Sequence, residues 1–239
     1  MVRPQLAICT SGFMETVYKA AYERVRTEVL HPAVPTPTER VSIAERERVR
    51  GTLGAGSDST VIIQVSRLER WKGHAVHLEA LAQLRSRPNW FCWFVGGVQR
   101  PDQANYLAEL QQAARRLGIG DRVLFLGERS DVRQLLGAAD IFCQPNIGPE
   151  PFGIVFIEAM QAGLPIVTSA MGGALEIANK ACGELATPGD PRSLASSLVR
   201  FLASAEERVV AGEAGRARAF EMCQPERQLK RLSGILATL

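Results

Sequence analysis

The apolar residues of this chain fall into short unbroken runs separated by longer stretches of helical periodicity. Residues 61–65, 90–95, 123–126, 141–144 and 165–169 are such runs, and they predict strands covered on both faces. Between them, Leu78, Leu81 and Leu84 recur at helical spacing within 75–85. Helices are also predicted over 103–117, 132–138, from 174, and over 191–203, 205–220 and 224–236, with a further short strand near 184–186. Strands alternating with helices in this order predict an α/β fold, a doubly wound parallel sheet of Rossmann type. Such a sheet binds its ligands at the carboxyl ends of its strands. Residues 1–59 have another texture: a short strand at 6–11, a helix over 14–26, a proline-rich segment at 31–38, a charged helix over 43–53 and a flexible Gly/Ser segment at 54–59.

The most informative stretch is 148–165. Gly148, Pro149, Pro151 and Gly153 crowd its first half, an apolar run follows, and Gly163 supplies a stop, so a loop is expected to turn into a helix near Phe152. The free N–H groups of such a helix tip, together with its macrodipole, favour an anion. Two carboxylates frame it, Glu150 before the helix and Glu158 within it. Ile154 and Glu158 are four apart and share a face. Both acids have an ordinary reading, as a first-turn acid and an exposed polar position. Glu158 nevertheless sits among Ile154–Ile157 and Ala159–Met160, which predicts burial nearly all round the helix and a carboxylate that needs a partner.

With Pro151-Phe152-Gly153 after Glu150, and Ala159-Met160-Gln161-Ala162-Gly163-Leu164-Pro165 after Glu158, this stretch resembles the donor-site signature of retaining glycosyltransferases of the GT-B fold. That is the glycogen-synthase-like and sucrose-synthase-like class often called family four. The resemblance implies that residues 60–239 are the C-terminal, nucleotide-sugar-binding half of a GT-B fold. Residues 1–59 would then be a remnant of the N-terminal domain and the interdomain linker. It implies a metal-independent retaining hexosyltransferase acting on a nucleotide-diphosphate sugar, with no cofactor. The acceptor would be a saccharide, a lipid or a small molecule, and an N-terminal GT-B half would be a partner; without that half the chain is expected to be inactive alone.

The strand at 61–65 leads into Ser66-Arg67-Leu68-Glu69-Arg70-Trp71-Lys72-Gly73, which puts Arg67 and Lys72 on the ligand side of the sheet. Both could be solvated loop cations, but a diphosphate needs fixed positive charge, and a planar Arg fork plus a mobile Lys supplies it. The resemblance assigns them to the pyrophosphate and, with Glu150, to catalysis. It also implies that Glu150 and the amides of Phe152, Gly153, Ile154 and Val155 hold the sugar, while Glu158 binds the ribose. Gly96, before Gly97, would let backbone approach the donor, and Glu128 and Arg129 would lie along the nucleobase. Ser130 or Asp131 is the expected cap of the following helix. Arg70 has no role and is expected to be exposed. The glycine pair Gly172-Gly173 with Glu176 reads as a structural turn.

Bulk properties add limits. The net charge of +3, from 28 basic and 25 acidic residues interspersed along 239, gives no field that implies nucleic acid. Cys9, Cys92, Cys143, Cys182 and Cys223 lack paired spacing and read as small buried hydrophobes. No signal-peptide pattern and no membrane-spanning run is present, so the expected location is the cytoplasm, including a peripheral position at the inner membrane face. The sequence contains no Asp-x-Asp motif, and His74 and His77 lack an acidic or cysteine partner for a metal; they are expected to decorate a helix surface. A non-catalytic nucleotide-sugar-binding module is the alternative reading. A dinucleotide-dependent dehydrogenase is disfavoured, because no G-x-G-x-x-G follows the first strand of the sheet. A sugar-nucleotide epimerase shares the fold but does not require the loop-and-helix signature.

Overall fold

The computed structural model describes residues 4–238. Its centre is a parallel six-stranded sheet built from β3 (Thr60–Val65), β4 (Trp90–Val95), β5 (Val123–Phe125), β6 (Ile141–Gln144), β7 (Ile166–Ser169) and β8 (Gly183–Ala186). The strand order is β5-β4-β3-β6-β7-β8, with Ile62 level with Cys92 on one side and Ile141 on the other. Counted from β3, this is the 3-2-1-4-5-6 order of a doubly wound sheet, and the order reverses between β3 and β6.

Side chains of a strand point alternately to opposite faces, so each apolar run feeds two cores. Val61, Ile63, Trp93, Phe142 and Ile166 face one side, where α2 (Ile43–Thr52), α5 (Val132–Ala138) and α6 (Ile154–Ala162) cover them. Ile62, Cys92, Phe94, Ile141 and Val167 face the other, under α3 (His74–Gln83), α4 (Pro101–Arg116) and α8 (Pro191–Ala203). The short helix α7 (Ala174–Ile177) follows β7, and α9 (Ala205–Cys223) packs along α6 before α10 (Pro225–Leu236) ends the chain. All five cysteines are free and buried. No helix among the described residues is long and apolar enough to cross a membrane.

A second, two-stranded parallel sheet pairs β1 (Leu6–Cys9) with β2 (Arg26–Val29) through α1 (Gly12–Ala21). The helix expected over 14–26 therefore ends five residues early, and β2 was not expected at all. Four residues, Arg-Thr-Glu-Val, carry too little periodicity to announce a strand; pairing of Ile8 with Glu28 and Cys9 with Val29 decides it. The charged helix α2 is tied to the sheet by Asp140, which precedes β6. Its carboxylate pairs with Arg46 at 2.5 Å and Arg50 at 3.0 Å and accepts the Val61 N–H at 2.7 Å. This clamp sits at the amino ends of the strands, away from the ligand side.

His74 and His77 are not on a surface; they are 1% and 0% exposed. α3 packs against α4 and α8 on the face that carries both histidines, while Ala75 and Glu79 take its solvent face. His77 Nδ1–H donates to Gln64 Oε1 at 2.9 Å, and His74 Nε2 shares a hydrogen bond with the Ser66 hydroxyl at 3.2 Å. Both rings pack on Phe94. Burial penalises the imidazolium and pushes their pKa values down to about 4 and about 3. The unfolded chain then binds more protons than the folded one below about pH 6.5, so stability falls as pH drops from there towards those values. Urea unfolding at pH 6.5 and pH 5.0, above most carboxylate titration, is expected to show a loss approaching about 1.4 kcal/mol per pH unit for each histidine. Equal stability at the two pH values would contradict buried neutral histidines.

Candidate functional site

Because β3 and β6 are neighbours at the point of reversal, the loops that follow them face each other across the carboxyl end of the sheet. Their approach is close enough to exclude a side chain at Gly73. That residue has φ +76°, and a Cβ there would lie 1.7 Å from the Pro145 carbonyl oxygen. The Ile147 N–H donates to the Trp71 carbonyl at 2.8 Å, and Gln64 Nε2–H donates to the Lys72 carbonyl at 3.0 Å. The two loops thus form one backbone unit.

This places Lys72 against Glu150, in an ion pair whose side chains are only 9% and 13% exposed. The Lys72 ammonium also lies 3.9 Å from the centroid of the Trp71 ring. Asn146 Nδ2–H donates to Glu150 Oε2 at 3.3 Å, and Gln144 Nε2–H donates to Asn146 Oδ1 at 3.2 Å. Two charges taken from water need such partners, since each loses its hydration on burial. Arg67, on the same loop as Lys72, extends outward with its side chain 60% exposed and pairs with Glu69 at 3.0 Å. Arg70 is exposed and pairs with Glu109 at 2.7 Å.

The acidic loop is supported from below by the glycine pair after β7. Gly173 N–H donates to the Glu150 carbonyl at 2.8 Å, and a Cβ at Gly172 would lie 2.6 Å from that same oxygen. From the other side Ser11, at the start of α1, donates its hydroxyl to the Pro151 carbonyl at 2.5 Å. Glu176 in turn accepts the N–H groups of Gly12 and Phe13 at 2.9 and 2.7 Å, satisfying the first turn of α1. Phe152 is buried and stacks on His31 with ring centroids 5.2 Å apart. α6 begins at Ile154, two residues later than expected, because Gly153 holds a left-handed conformation; no side chain caps the helix there. Its tip presents the amides of Ile154 and Val155 beside Glu150.

The other expected residues lie around this centre without joining it. The Gly96 N–H donates to the Gly127 carbonyl at 2.9 Å, which brings the loops after β4 and β5 together, and a Cβ at Gly97 would meet Glu128 at 2.6 Å. Arg129 is held in a two-pronged pair with Asp131, at 2.7 and 2.6 Å. Asp131 occupies the cap position of α5 but makes no side-chain cap bond, because Arg129 engages its carboxylate and holds its pKa below the usual range. Among the described residues Glu128 and Arg129 share no ion pair or hydrogen bond with Lys72 or Glu150. Glu158 is exposed, not buried as its apolar neighbours suggested, and Ile154 on the same face is 49% exposed. Glu158, with Gln161 and Ala162 of α6, borders a cavity of about 610 Å³ shared with Val34 of the proline-rich segment, Val132, Arg133 and Leu136 of α5, and Arg216 of α9. The apolar walls displace water and push the Glu158 pKa up.

Residues 45–218 match the family of glycosyl transferases group 1. The chain belongs to that family. It is 31% identical over 222 residues to a GDP-mannose-dependent alpha-(1-6)-phosphatidylinositol monomannoside mannosyltransferase of Mycolicibacterium smegmatis, covering 88% of this chain and 56% of that protein. It is also 31% identical over 198 residues to a D-inositol 3-phosphate glycosyltransferase of Mycolicibacterium vanbaalenii, covering 75% of this chain and 41% of that protein. The chain therefore spans about half the length of these curated relatives. The structure superposes on Anabaena HepE in complex with UDP-glucose with a TM-score of 0.90 and 30% identity, over 98% of this chain and 64% of HepE. The likeness establishes the α/β GT-B architecture expected from the strand and helix pattern.

Sequence reasoning passed over Glu69, Trp71 and Asn146, whose side chains touch the expected site residues, and it gave Ser11 and Glu176 no contact with the acidic loop or with α1. For Glu69, Trp71 and Asn146 the only sequence signal was proximity to the motif residues, which does not reveal orientation, and the contacts of Ser11 and Glu176 span 140 residues or more of chain. The contact at Gly73 offers a direct check of the two-loop unit. Gly73→Ala is expected to cost about 3 kcal/mol or more, through strain at positive φ and collision with Pro145. Denaturant unfolding within about 1 kcal/mol of the parent would mean that the loops do not approach this closely.

Proposed function

We propose that this chain is the donor-binding half of a metal-independent retaining glycosyltransferase, and that the crevice at the end of β3 and β6 holds a nucleotide-diphosphate sugar. The observation that carries this reading is the juxtaposition of Lys72 and Glu150 beside the uncapped tip of α6, with Arg67 on the adjoining loop. A diphosphate offers oxygens that compete with Glu150 for the Lys72 ammonium. Once Lys72 turns to phosphate, Glu150 is available to accept hydrogen bonds from sugar hydroxyls, and the Ile154 and Val155 amides face the same group.

In this reading Arg67, Lys72 and the α6 tip take up the charge that develops on the diphosphate as the glycosidic bond breaks. Charge-assisted hydrogen bonds contribute about 1.5–3 kcal/mol each and a helix terminus up to about 2 kcal/mol, enough in combination to do so without a divalent ion. Glu150 orients the anomeric carbon, and the acceptor attacks from the face the leaving group vacates, giving retention. Glu158, open to the cavity beside α5, takes the ribose hydroxyls, and the loop carrying Glu128 and Arg129 lies along the base. Beyond the six-stranded sheet and its helices, the described residues supply only β1, α1 and β2 for an acceptor. Little sugar transfer is therefore expected from this chain alone.

HepE binds UDP-glucose and the Mycolicibacterium smegmatis relative is GDP-mannose-dependent. Calorimetry with UDP, GDP and ADP is expected to find at least one that binds. Lys72→Ala should weaken that nucleotide by roughly tenfold or more. Binding as tight as the parent's would remove Lys72 from the phosphate site.

A further inference from the structure

We propose that Glu69 is a positioning residue for the diphosphate, fixing Arg67 directly and Lys72 through the ring of Trp71; this rests on the donor-binding reading above. Glu69 is an inner carboxylate, 13% exposed, that holds two outer arginines each 60% exposed. Its Oε1 pairs with Arg67 at 3.0 Å and Arg100 at 3.5 Å. Its Oε2 accepts the Trp71 indole N–H at 2.7 Å. One carboxylate thus sets both the guanidinium and the aromatic ring of the same loop.

Trp71 relays that placement across the crevice. Lys72 lies over its ring at 3.9 Å, and its carbonyl accepts the Ile147 N–H at 2.8 Å. A Cβ at Gly148 would lie 3.4 Å from Trp71 Cβ and 3.7 Å from the ring, so Trp71 lies alongside the acidic loop at ordinary contact distance. Arg67 spends one amino group on Glu69 and keeps further N–H donors for phosphate oxygens. An exposed arginine already held in place loses less freedom when it grips its ligand.

The charge of Glu69 makes the proposal decidable. A carboxylate beside two arginines lowers the positive potential, so neutralising it favours any anion if nothing but net charge is at work. Positioning predicts the opposite. For Glu69→Gln, the affinity for the nucleoside diphosphate that binds the parent is expected to fall on the order of tenfold, while the matching nucleoside, followed by ligand-observed NMR, binds as before. Trp71→Phe keeps a ring under Lys72 but removes the N–H, and it is expected to give a smaller loss for the diphosphate with the nucleoside again unchanged. If Glu69→Gln does not fold by circular dichroism, Trp71→Phe carries the test. Diphosphate binding that is tighter or unchanged, or an equal loss for nucleoside and diphosphate, overturns the proposal. A parent chain that binds no nucleoside diphosphate overturns the donor reading itself, and that result is visible before any variant is made.

Discussion

The near-contact of two loops, at the point where the strand order reverses, is the constraint from which the rest of the site follows. Gly73 packs against the Pro145 carbonyl with no room for a methyl group, and that approach sets Lys72 beside Glu150. A doubly wound sheet produces such an opening because the crossovers from β3 and β6 leave in opposite directions. The sheet supplies the crevice, and the glycine lets its two walls meet. Further contacts hold the acidic wall still: Gly173 and Ser11 bind its backbone on either side of Glu150.

Charge at this place is balanced by pairs instead of by solvent. Lys72 and Glu150 neutralise each other with help from Asn146 and the Trp71 ring, and Glu69 neutralises part of Arg67 and Arg100. A buried pair of this kind contributes little net stability, because desolvation offsets most of the attraction. It does keep each charged group oriented. In the proposed reading, an incoming diphosphate meets cations that are already placed and frees a carboxylate suited to accept hydroxyl hydrogen bonds. The stability of the domain comes from elsewhere, chiefly from the two apolar faces of the sheet.

Much of this was legible in the sequence, for physical reasons. Strands covered on both faces must be continuously apolar, so β3, β4, β6 and β7 stood out, and the fold class with them. The loop at 148–153 stood out because its prolines and glycines can serve few other purposes. What local sequence could not convey was which groups long-range packing would cover. The α3 helix shows polar His74 and His77 in its first turn, yet Phe94, Tyr106 and the Gln64 side chain enclose them. Glu158 lies in a run as apolar as a core helix, yet its face borders an open cavity. β2 exists only because β1 lies beside it. Glu69 was two residues from Arg67 and Trp71 in the chain, but only the folded loop shows that it binds both.

The proposed seat of the diphosphate is the Lys72–Glu150 pair. A crystal structure of the chain with the nucleoside diphosphate that binds it tests this most directly. A phosphate oxygen is expected roughly 2.7–3.2 Å from Lys72 Nζ, with Arg67 turned to the same group and Glu150 no longer in contact with Lys72. A nucleotide seated elsewhere, or bound with Lys72 still on Glu150 and no phosphate beside it, would contradict the account.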